Sequence, residues 1–306
     1  MSRAILVTGA TGKQGGALIK ALLSAGSDFQ LLAVTRDKNS DSSQRLASKS
    51  RQISIVQGDL DNTDAIFEDA KKVTSAPIWG VFSVQAPAFN KNGSAIEERQ
   101  GKALVDSSIR HGVSHFVYAS VDRHGDSSIN NKTNIPHFAS KHNIEHHLFN
   151  STKGKSGMSW TVLRPVAFME NFDGGFLGKV FASAWKVTVT SRPLQLVATD
   201  DIGVFAAKSF LEPEEYKGKC ISLAGDELTH QQMMKVFKAK TGSGAPHTWN
   251  IVARFVMWMS EEMGTMFSFF EREGYGADVG ALKKVYPGMM DLATWLDKKG
   301  AKERSG

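Results

Sequence analysis

The sequence predicts an α/β fold, a doubly wound parallel sheet with a smaller, mostly helical C-terminal lobe that would bind substrate. Three observations predict it. Short apolar segments alternate with amphipathic ones through the first half of the 306 residues. The apolar segments recur at the spacing that right-handed βαβ crossovers require. The first of them, near the N-terminus, runs directly into a glycine-rich turn and a helical pattern, which is typical of such a sheet.

The individual elements follow from hydrophobic periodicity. The predicted strands are 4–8, 30–35, 53–57, 79–84, 115–119, 159–165 and 219–224. The predicted helices are 14–26, 41–49, 62–72, 95–111, 200–211, 229–240 and 249–270. Beyond residue 155 the alternation becomes irregular, so we predict a nucleotide-binding domain over 1–155 and a second lobe over 156–306. We find no linker rich in proline, glycine or serine, and expect the second lobe to be interleaved with the sheet.

Composition excludes several classes of protein. Hydrophobic residues make up 41% of the chain and charged residues 22%, as in an ordinary globular protein. The single cysteine excludes an internal disulfide. The net charge is +6, but no basic cluster with interleaved aromatic residues follows, which argues against direct nucleic-acid binding. No apolar run is long enough for a transmembrane helix, so we expect no membrane association and a cytoplasmic location.

The glycine-rich turn predicts a phosphate-binding site. Gly9 permits the tight bend after the first strand, Gly12 lets the backbone approach a pyrophosphate, and Gly15 lets the helix pack closely on the strand. The N–H groups at the start of the helix then form an anion site. The strand, turn and helix together favour a Rossmann-type dinucleotide site. Its predicted residues in this turn are Gly9, Thr11, Gly12, Lys13, Gln14 and Gly15.

The end of the second strand bears on which dinucleotide binds. It reads LLAVTRDK, which places Arg36 where an NAD-preferring site usually has an acidic residue. A guanidinium can make paired, charge-assisted bonds to a 2′-phosphate, so we predict NADP(H). Asp37 is the alternative: facing the ribose, it would favour NAD, and an exposed Arg–Asp pair without a ligand is a third interpretation.

The ends of the third and fourth strands add further predicted cofactor contacts. In GDLDN, Asp59 could accept from the adenine amino group while Leu60 packs near the ring. The alternative is simple helix capping by Asp61 or Asn62. The fourth strand ends FSVQAP, and its predicted contacts with the middle of the cofactor are Val84, Gln85 and Ala86.

Five stretches of the chain form a recognisable set: GATGKQGG, VTRD, GDLD, HFASKHNIEHHL and WTVLRPVAFMENF. Together, across about residues 3 to 240, they resemble the NmrA-like family of the atypical short-chain dehydrogenase/reductase superfamily. The resemblance implies a serine, a tyrosine and, four residues after the tyrosine, a lysine. In that superfamily the tyrosine handles the proton at the substrate oxygen and the lysine holds the nicotinamide ribose.

This chain departs from that pattern at the tyrosine. The serine position corresponds to Ser120, the lysine to Lys141, and the tyrosine position holds His137. One helical turn separates positions 137 and 141, so both could reach a nicotinamide. Histidine is a competent acid–base group near neutral pH, and the predicted catalytic residues are therefore His137, Lys141 and Ser120. In the alternative interpretation His137 has no role and Lys141 only binds ribose. Glu145, one turn beyond, is expected in a surface pair.

Neighbouring histidines invite a metal interpretation. His142 and His146 have the spacing of two ligands on one helix face, and His147 follows. No carboxylate or cysteine completes a zinc site there, so we predict no metal and a solvated helix face.

The substrate side is predicted partly from the resemblance, which places the segment after the sixth strand beside the nicotinamide and the substrate. It implies that Pro165 contacts the cofactor, that Asn171 contacts the substrate, and that Phe168 contacts both. Residues 248–276 are rich in methionine and aromatic residues, which favours an adaptable wall for a bulky apolar substrate, including Trp258 and Phe267. The alternatives for this segment are core packing and a dimer or partner surface.

Two functions remain open at this stage. The first is an NADP(H)-dependent oxidoreductase acting on a bulky apolar ketone, imine or activated alkene. Family members in fungal secondary metabolism make an intermediate of such a pathway a natural substrate, and a cofactor-templated cyclisation or rearrangement could follow. The second is a non-catalytic NADP(H) sensor or transcriptional co-regulator, which the missing tyrosine favours and which would add the nucleus to the expected location.

Overall fold

The computed structural model describes residues 3–85, 92–154, 157–173 and 175–305. It divides the chain into two compact units, each assembled from three segments. The first unit comprises Met1–Ser120, Ala139–Arg164 and Ile202–Ile221, and the second comprises Val121–Phe138, Pro165–Asp201 and Ser222–Gly306. The sequence predicted a single boundary near residue 155, whereas the chain alternates between the two units.

The described residues form ten strands and thirteen helices. The strands are β1 (Ala4–Val7), β2 (Gln30–Thr35), β3 (Ile53–Gln57), β4 (Ile78–Ser83), β5 (His115–Ala119), β6 (Ser159–Pro165), β7 (Ala167–Phe168), β8 (Leu194–Val197), β9 (Lys219–Leu223) and β10 (Asp226–Leu228). The helices are α1 (Lys13–Ser24), α2 (Asp41–Ala47), α3 (Thr63–Val73), α4 (Gly93–Arg110), α5 (Pro136–Ser151), α6 (Gly175–Thr188), α7 (Thr199–Leu211), α8 (Pro213–Tyr216), α9 (His230–Thr241), α10 (Asn250–Met259), α11 (Glu261–Arg272), α12 (Val279–Val285) and α13 (Leu292–Ser305).

The first unit is built on a seven-stranded sheet in the order β3-β2-β1-β4-β5-β6-β9. The five neighbouring pairs from β3 to β6 are all parallel. Because parallel strands end at the same edge, the segments that follow β1, β2, β3, β4 and β5 meet at one edge of the sheet. The predicted doubly wound, Rossmann-type fold is confirmed, with all seven predicted strands in place.

Helices α4 and α5 pack closely in the first unit, and this brings two later site residues together. A Cβ on Gly101 of α4 would lie 2.5 Å from Cδ1 of Ile144 on α5, so only glycine permits this approach. Ile144 and Leu104 are both fully buried in the core of the unit. The approach places the polar residues of α4 within hydrogen-bond reach of α5.

The second unit contains a three-stranded sheet, in the order β10-β8-β7, and the remaining helices. Its apolar core includes Phe172, Trp185 and Phe267, each at most 2% exposed. The three strands were not predicted, because segments of two to four residues are too short to show the alternation of apolar and polar residues that indicates a strand. The predicted helix over 249–270 is two helices, separated at Ser260, whose side chain caps the second of them. Among the described residues, no helix is long and apolar enough to cross a membrane.

Candidate functional site

The glycine turn between β1 and α1 has the geometry that phosphate binding needs. Gly9 has a φ of +58°, and a Cβ on it would lie 2.8 Å from Cγ1 of Val84. A Cβ on Gly15 would lie 2.4 Å from the carbonyl oxygen of Gly9, which confirms its predicted packing role. Gly12 is the N-cap of α1 and offers no side chain to the first N–H groups. The first turn of α1 is therefore built to receive an anion from outside the chain.

The predicted loop residues Thr11, Gly12 and Lys13 are exposed, and Gln14 is half-buried. The Oε1 atom of Gln14 is buried and has no hydrogen-bond partner among the described residues. A buried acceptor without a donor is costly unless a ligand or water supplies one. Both observations fit a dinucleotide lying over this turn.

The segment after β2 distinguishes Arg36 from Asp37. Both side chains are exposed, and the guanidinium of Arg36 forms no ion pair with any described residue. The carboxylate of Asp37 instead accepts from the backbone N–H of Asn39 at 2.8 Å. Asp37 is thus used within its own turn, while Arg36 remains available to a phosphate.

The segment after β3 shows the helix cap that was the alternative interpretation of GDLDN. Asp59 is exposed, and its Oδ1 accepts from the N–H of Asp61 at 3.0 Å. Asn62 caps α3 by accepting from the N–H of Ala65 at 3.2 Å, as the capping alternative expected. Leu60 packs partly against the core, and the predicted adenine contacts of Asp59 and Leu60 stay predictions.

The end of β4 is tied directly to the end of β1. The hydroxyl of Thr8 donates to the carbonyl oxygen of Val84 at 3.0 Å and accepts from its N–H at 2.8 Å. Gln85 is 3% exposed and donates to the hydroxyl of Ser83 at 2.9 Å. Val84 and Gln85 therefore lie beside the glycine turn. Their contact with the cofactor stays a prediction, and Ala86 lies outside the described residues.

Ser120 follows β5 and belongs to a buried polar network. Its hydroxyl donates to Oε1 of Glu145 on α5, and the same carboxylate accepts from Arg164 of β6, with 2.7 Å between Nη2 and Oε2. Glu145 is fully buried and Ser120 and Arg164 are at most 3% exposed. The expected surface pair at Glu145 is therefore wrong: the residue lies on the buried face of α5 because it completes this network.

Lys141 of α5 is held by a carboxylate that the sequence analysis did not identify. Its ammonium group lies 2.7 Å from Oε1 of Glu97 on α4, and Oε2 of Glu97 accepts from the hydroxyl of Ser140 at 2.6 Å. The side chains of Lys141 and Glu97 are 14% and 5% exposed. Lys141 is thus oriented by a salt bridge and nearly removed from water.

His137 lies in the first turn of α5, which begins in the second unit and continues into the first. Its Nδ1 atom is 2.5 Å from Oε1 of Glu262, in the first turn of α11. Both side chains are about 30% exposed, at 27% and 32%. The imidazole of His137 beside this carboxylate lowers the pKa of Glu262 below its usual value. His137 and Lys141 therefore each have a carboxylate partner of their own.

The other histidines of α5 face different partners. The rings of His142 and His146 lie 4.2 Å apart, and Nε2 of His147 is 2.7 Å from the carboxylate of Asp106. Within the part of the chain that the structure describes, no group of three or more potential ligands is arranged to hold a metal.

The segment after β6 lies in the second unit. Pro165 is buried, and its carbonyl oxygen accepts from the N–H of Asp122 at 3.1 Å. Phe168 is half-buried at the start of a short 3₁₀ turn, and Asn171 within that turn is exposed. Phe168 and Asn171 therefore present surface that a ligand can reach.

Residues 248–276 divide into an exposed part and a buried part. In α10 and just before it, Trp249, Phe255 and Trp258 are 80%, 57% and 78% exposed. In α11, Phe267 is fully buried, with its ring centroid 5.5 Å from that of Phe181. Trp258 is thus exposed and its predicted substrate contact stays a prediction, whereas the position of Phe267 in the core does not fit its predicted substrate contact.

The functional residues that the sequence analysis missed are the carboxylates Glu97 and Glu262, and the buried role of Glu145. A signal existed for Glu97, because it falls at helical spacing on the same face as the buried Gly101 and Leu104. A carboxylate in register with a buried face needs a partner. No comparable signal exists for Glu262, which lies among exposed and half-exposed residues far along the chain from His137.

Comparison with known proteins agrees with this architecture. An NmrA-like family domain-containing oxidoreductase of Aspergillus flavus is 26% identical over 295 residues, covering 88% of this chain and 84% of the relative. The structure of an NADPH-dependent quinone oxidoreductase from Escherichia coli complexed with NADPH matches with a TM-score of 0.72 at 18% identity, covering 96% of this chain and 99% of that one. The structure of NmrA, a negative transcriptional regulator, in complex with NADP matches with a TM-score of 0.70 at 17% identity, covering 100% and 98% of the two chains. The family model described as NmrA-like matches residues 1–296. This protein therefore belongs to the NmrA-like family.

Proposed function

We propose that this protein is an NADP(H)-dependent oxidoreductase that reduces a bulky apolar ketone, imine or activated alkene. The observation that carries the proposal is the edge of the sheet where the glycine turn and Arg36 meet. There α1 begins without a side-chain cap, and Arg36 is exposed without an ion pair to any described residue. The uncapped start of α1 suits a pyrophosphate. The guanidinium of Arg36 suits a 2′-phosphate. The curated relatives in the same family, which carry the name oxidoreductase, support the same conclusion.

The residues of the first unit would bind and orient the dinucleotide, which supplies a hydride when bound. The turn residues, from Gly9 to Gly15, would hold the pyrophosphate, and Asp59 and Leu60 the adenine. Lys141 would bind the nicotinamide ribose, with Glu97 fixing its ammonium group. The buried carboxylate of Glu97 makes this lysine a rigid donor rather than a mobile one.

His137 is the better of the two candidates for the proton at the substrate. The hydroxyl of Ser120 is buried and donates to Glu145, so it is committed within the chain. The ring of His137 is partly exposed and has an ionised carboxylate beside it. We assign proton transfer to His137 and a structural part to Ser120, which would support β5 and α5.

The substrate side is supported by exposed apolar surface in the second unit. Phe168 and Asn171 follow β6, and α10 presents Phe255 and Trp258 to solvent. Exposed aromatic residues at this density are typical of a surface that binds a ligand or a partner. A flat, bulky substrate such as a quinone or a secondary-metabolite intermediate suits such residues, and a second copy of the chain is the competing occupant of α10.

The experiment that tests the proposal is titration of NADPH and NADH into wild type and Arg36→Ala, followed by NADPH oxidation with a quinone. Loss of charge-assisted bonds to the 2′-phosphate should weaken NADPH by about ten- to a hundredfold, with NADH binding nearly unchanged. Arg51→Ala is the matched control, because Arg51 is also exposed but precedes β3 and so lies at the opposite edge of the parallel sheet. Equal weakening of both dinucleotides would refute the NADP(H) assignment.

A non-catalytic NADP(H) sensor is the second candidate, and one observation favours it. The exposed apolar residues of α10 would equally serve a protein partner, and NmrA, with a similar fold, is a negative transcriptional regulator. A sensor would bind NADPH and oxidise it with none of a panel of quinones, enones and imines. An oxidoreductase would oxidise it with at least one of them.

A further inference from the structure

Helix α10 is held in the second unit by one of its faces. Ala253, on this inner face, is fully buried. Beside it, the hydroxyl of Thr188 on α6 donates to Sδ of Met257 at 3.6 Å, and α6 and α10 pack along one another. The inner face therefore accounts for part of the apolar side chains of α10, and the others lie on the opposite side.

The outer face of α10 is apolar as well. Ile251, Phe255 and Trp258 are spaced four and three residues apart, which places them in one stripe along the helix. They are 73%, 57% and 78% exposed, and the ring centroids of Phe255 and Trp258 are 5.8 Å apart. Met259 and, just before the helix, Trp249 are exposed too, at 66% and 80%. A helix that is apolar on all sides is normally covered on all sides, so this stripe is expected to have an occupant.

The exposed area has the size of a protein interface. Aromatic side chains present about 150–250 Å² each, so the exposed fractions of these five residues amount to about 700 Å² of largely apolar surface. The largest apolar patch on a typical monomer covers about 300–600 Å². Two such faces pressed together would bury about 1,400 Å², within the range of about 1,200–2,000 Å² that specific, stable interfaces bury.

Shape and charge favour a second copy of this chain as the occupant. A small molecule is usually bound in a concave site, and a stripe on the outside of a helix encloses little of a ligand. Helices that lie on anionic bilayers are rich in lysine and arginine, whereas α10 carries the single cation Arg254. The exposed Glu261 follows two residues after the helix and balances that charge, so two copies of this face would not repel one another. Every copy carries the same stripe, so a two-fold pair covers both stripes without another component.

We propose that the stripe of Ile251, Phe255 and Trp258 is the contact of a symmetric dimer of this chain. Phe255 is the middle residue of the stripe, so a two-fold axis beside it sets the two α10 helices antiparallel and brings Phe255 against its counterpart. The same symmetry sets Ile251 of each copy opposite Trp258 of the other, so that a smaller side chain meets a larger one at both ends. The inference goes beyond the proposed function and does not depend on it.

The first experiment measures the mass of the full chain by sedimentation equilibrium over a wide range of concentration. Wild type should be a dimer at high concentration and should dissociate on dilution. Phe255→Glu, which brings two like charges together at the axis, should weaken the dimer by at least about a hundredfold. Val73→Glu is the matched control and should associate like wild type, because Val73 is also an exposed apolar residue on a helix but lies in the first unit. A wild type that is monomeric throughout, or a dimer that Phe255→Glu leaves intact, overturns the proposal.

The second experiment tests the two-fold geometry and separates lost association from lost folding. Phe255→Lys alone should be as weak a dimer as Phe255→Glu, since like charges again meet at the axis. An equimolar mixture of the two variants should recover a heterodimer, because opposite charges then meet. Two misfolded chains would not recover it. A mixture that stays monomeric although both variants keep the far-UV circular dichroism of wild type overturns the antiparallel arrangement.

Two further measurements identify a different occupant. In the first, wild type and Phe255→Glu are mixed with vesicles of phosphatidylcholine and phosphatidylserine. A monomeric wild type that binds the vesicles, with Phe255→Glu failing to bind, assigns the stripe to a lipid surface. In the second, a monomeric wild type whose KM for a quinone rises in Phe255→Glu assigns the stripe to the substrate. Either result overturns the dimer and leaves the NADP(H) assignment intact.

Discussion

The two units hold their polar site residues in different ways. In the first unit, Ser120 and Lys141 are bound by carboxylates at most 5% exposed, Glu145 and Glu97. In the second unit, His137 is bound by a carboxylate that is 32% exposed. A buried ion pair is fixed in geometry and costly to disturb, whereas a partly exposed pair exchanges protons with water. The first arrangement suits binding of a cofactor, and the second suits proton transfer.

The largest effect is expected where the buried network of the first unit is broken. Glu145→Gln removes the charge that faces the guanidinium of Arg164, which is nearly inaccessible to water. We expect a loss of about 3–5 kcal/mol in the free energy of unfolding, measured by urea denaturation. Glu98→Gln is the control, because Glu98 pairs with Lys102 in the same unit but both side chains are about one third exposed.

The control should lose at most about 1 kcal/mol, as partly exposed pairs do. If the two variants lose the same free energy of unfolding, then burial does not make the carboxylate of Glu145 more important to stability than that of Glu98. The contrast between buried and partly exposed carboxylates would then have no energetic basis. A double variant that replaces Glu145 and Arg164 with apolar residues should recover part of the loss, since it leaves no unpaired charge.

The same contrast explains what the sequence could predict. The glycine turn, Arg36 and the seven strands follow from local patterns, because each depends on residues within one turn or strand. Glu145 was misjudged because a charged residue on a helix is usually solvated, and only its meeting with Arg164 shows otherwise. Glu262 could not be predicted, because its contact with His137 depends on how α11 packs against the start of α5.

A second comparison lies within the second unit, between α10 and α11. Both helices are rich in methionine and aromatic residues, and α10 is the more hydrophobic of the two. The structure nevertheless leaves Trp258 of α10 78% exposed, whereas Phe267 of α11 is fully buried. A large apolar side chain in the core and one on the surface differ in energetic role even when their sequence context is alike.

We therefore expect opposite results from truncation at these two positions. Phe267→Ala leaves a cavity and should cost about 3–5 kcal/mol of unfolding free energy. Trp258→Ala should change it by at most about 0.5 kcal/mol, while weakening turnover of a bulky substrate or, in the partner alternative, self-association. Urea denaturation of both variants measures the first effect. A large loss in Trp258→Ala would show that the face of α10 that carries Trp258 is packed in solution, and would remove that residue from the substrate site.

The smallest effect, a slope of stability with pH, should have opposite signs in the two units. Burial lowers the pKa of His115 in the first unit to about 4, from an ordinary value of 6.5. Between these pH values the unfolded chain binds a proton that the folded chain does not, so stability falls as pH falls. Burial raises the pKa of Asp201 in the second unit to about 7, from 3.8. There the folded chain holds the extra proton, so this residue makes stability fall as pH rises from about 4 to 7.

Substitution isolates the two contributions. Each group can contribute a slope of at most about 1.4 kcal/mol per pH unit. With unfolding free energies measured between pH 4 and 7, Asp201→Asn should gain stability relative to wild type as pH rises, because the neutral amide needs no proton and can still accept from the N–H of Met290. His115→Gln should lose stability relative to wild type as pH rises over the same range. In wild type, protonation of His115 favours the unfolded chain at low pH, and this destabilisation fades as pH rises. The variant has no such group and so gains nothing. Slopes of the same sign in the two variants would contradict the assignment of one buried neutral base to the first unit and one buried neutral acid to the second.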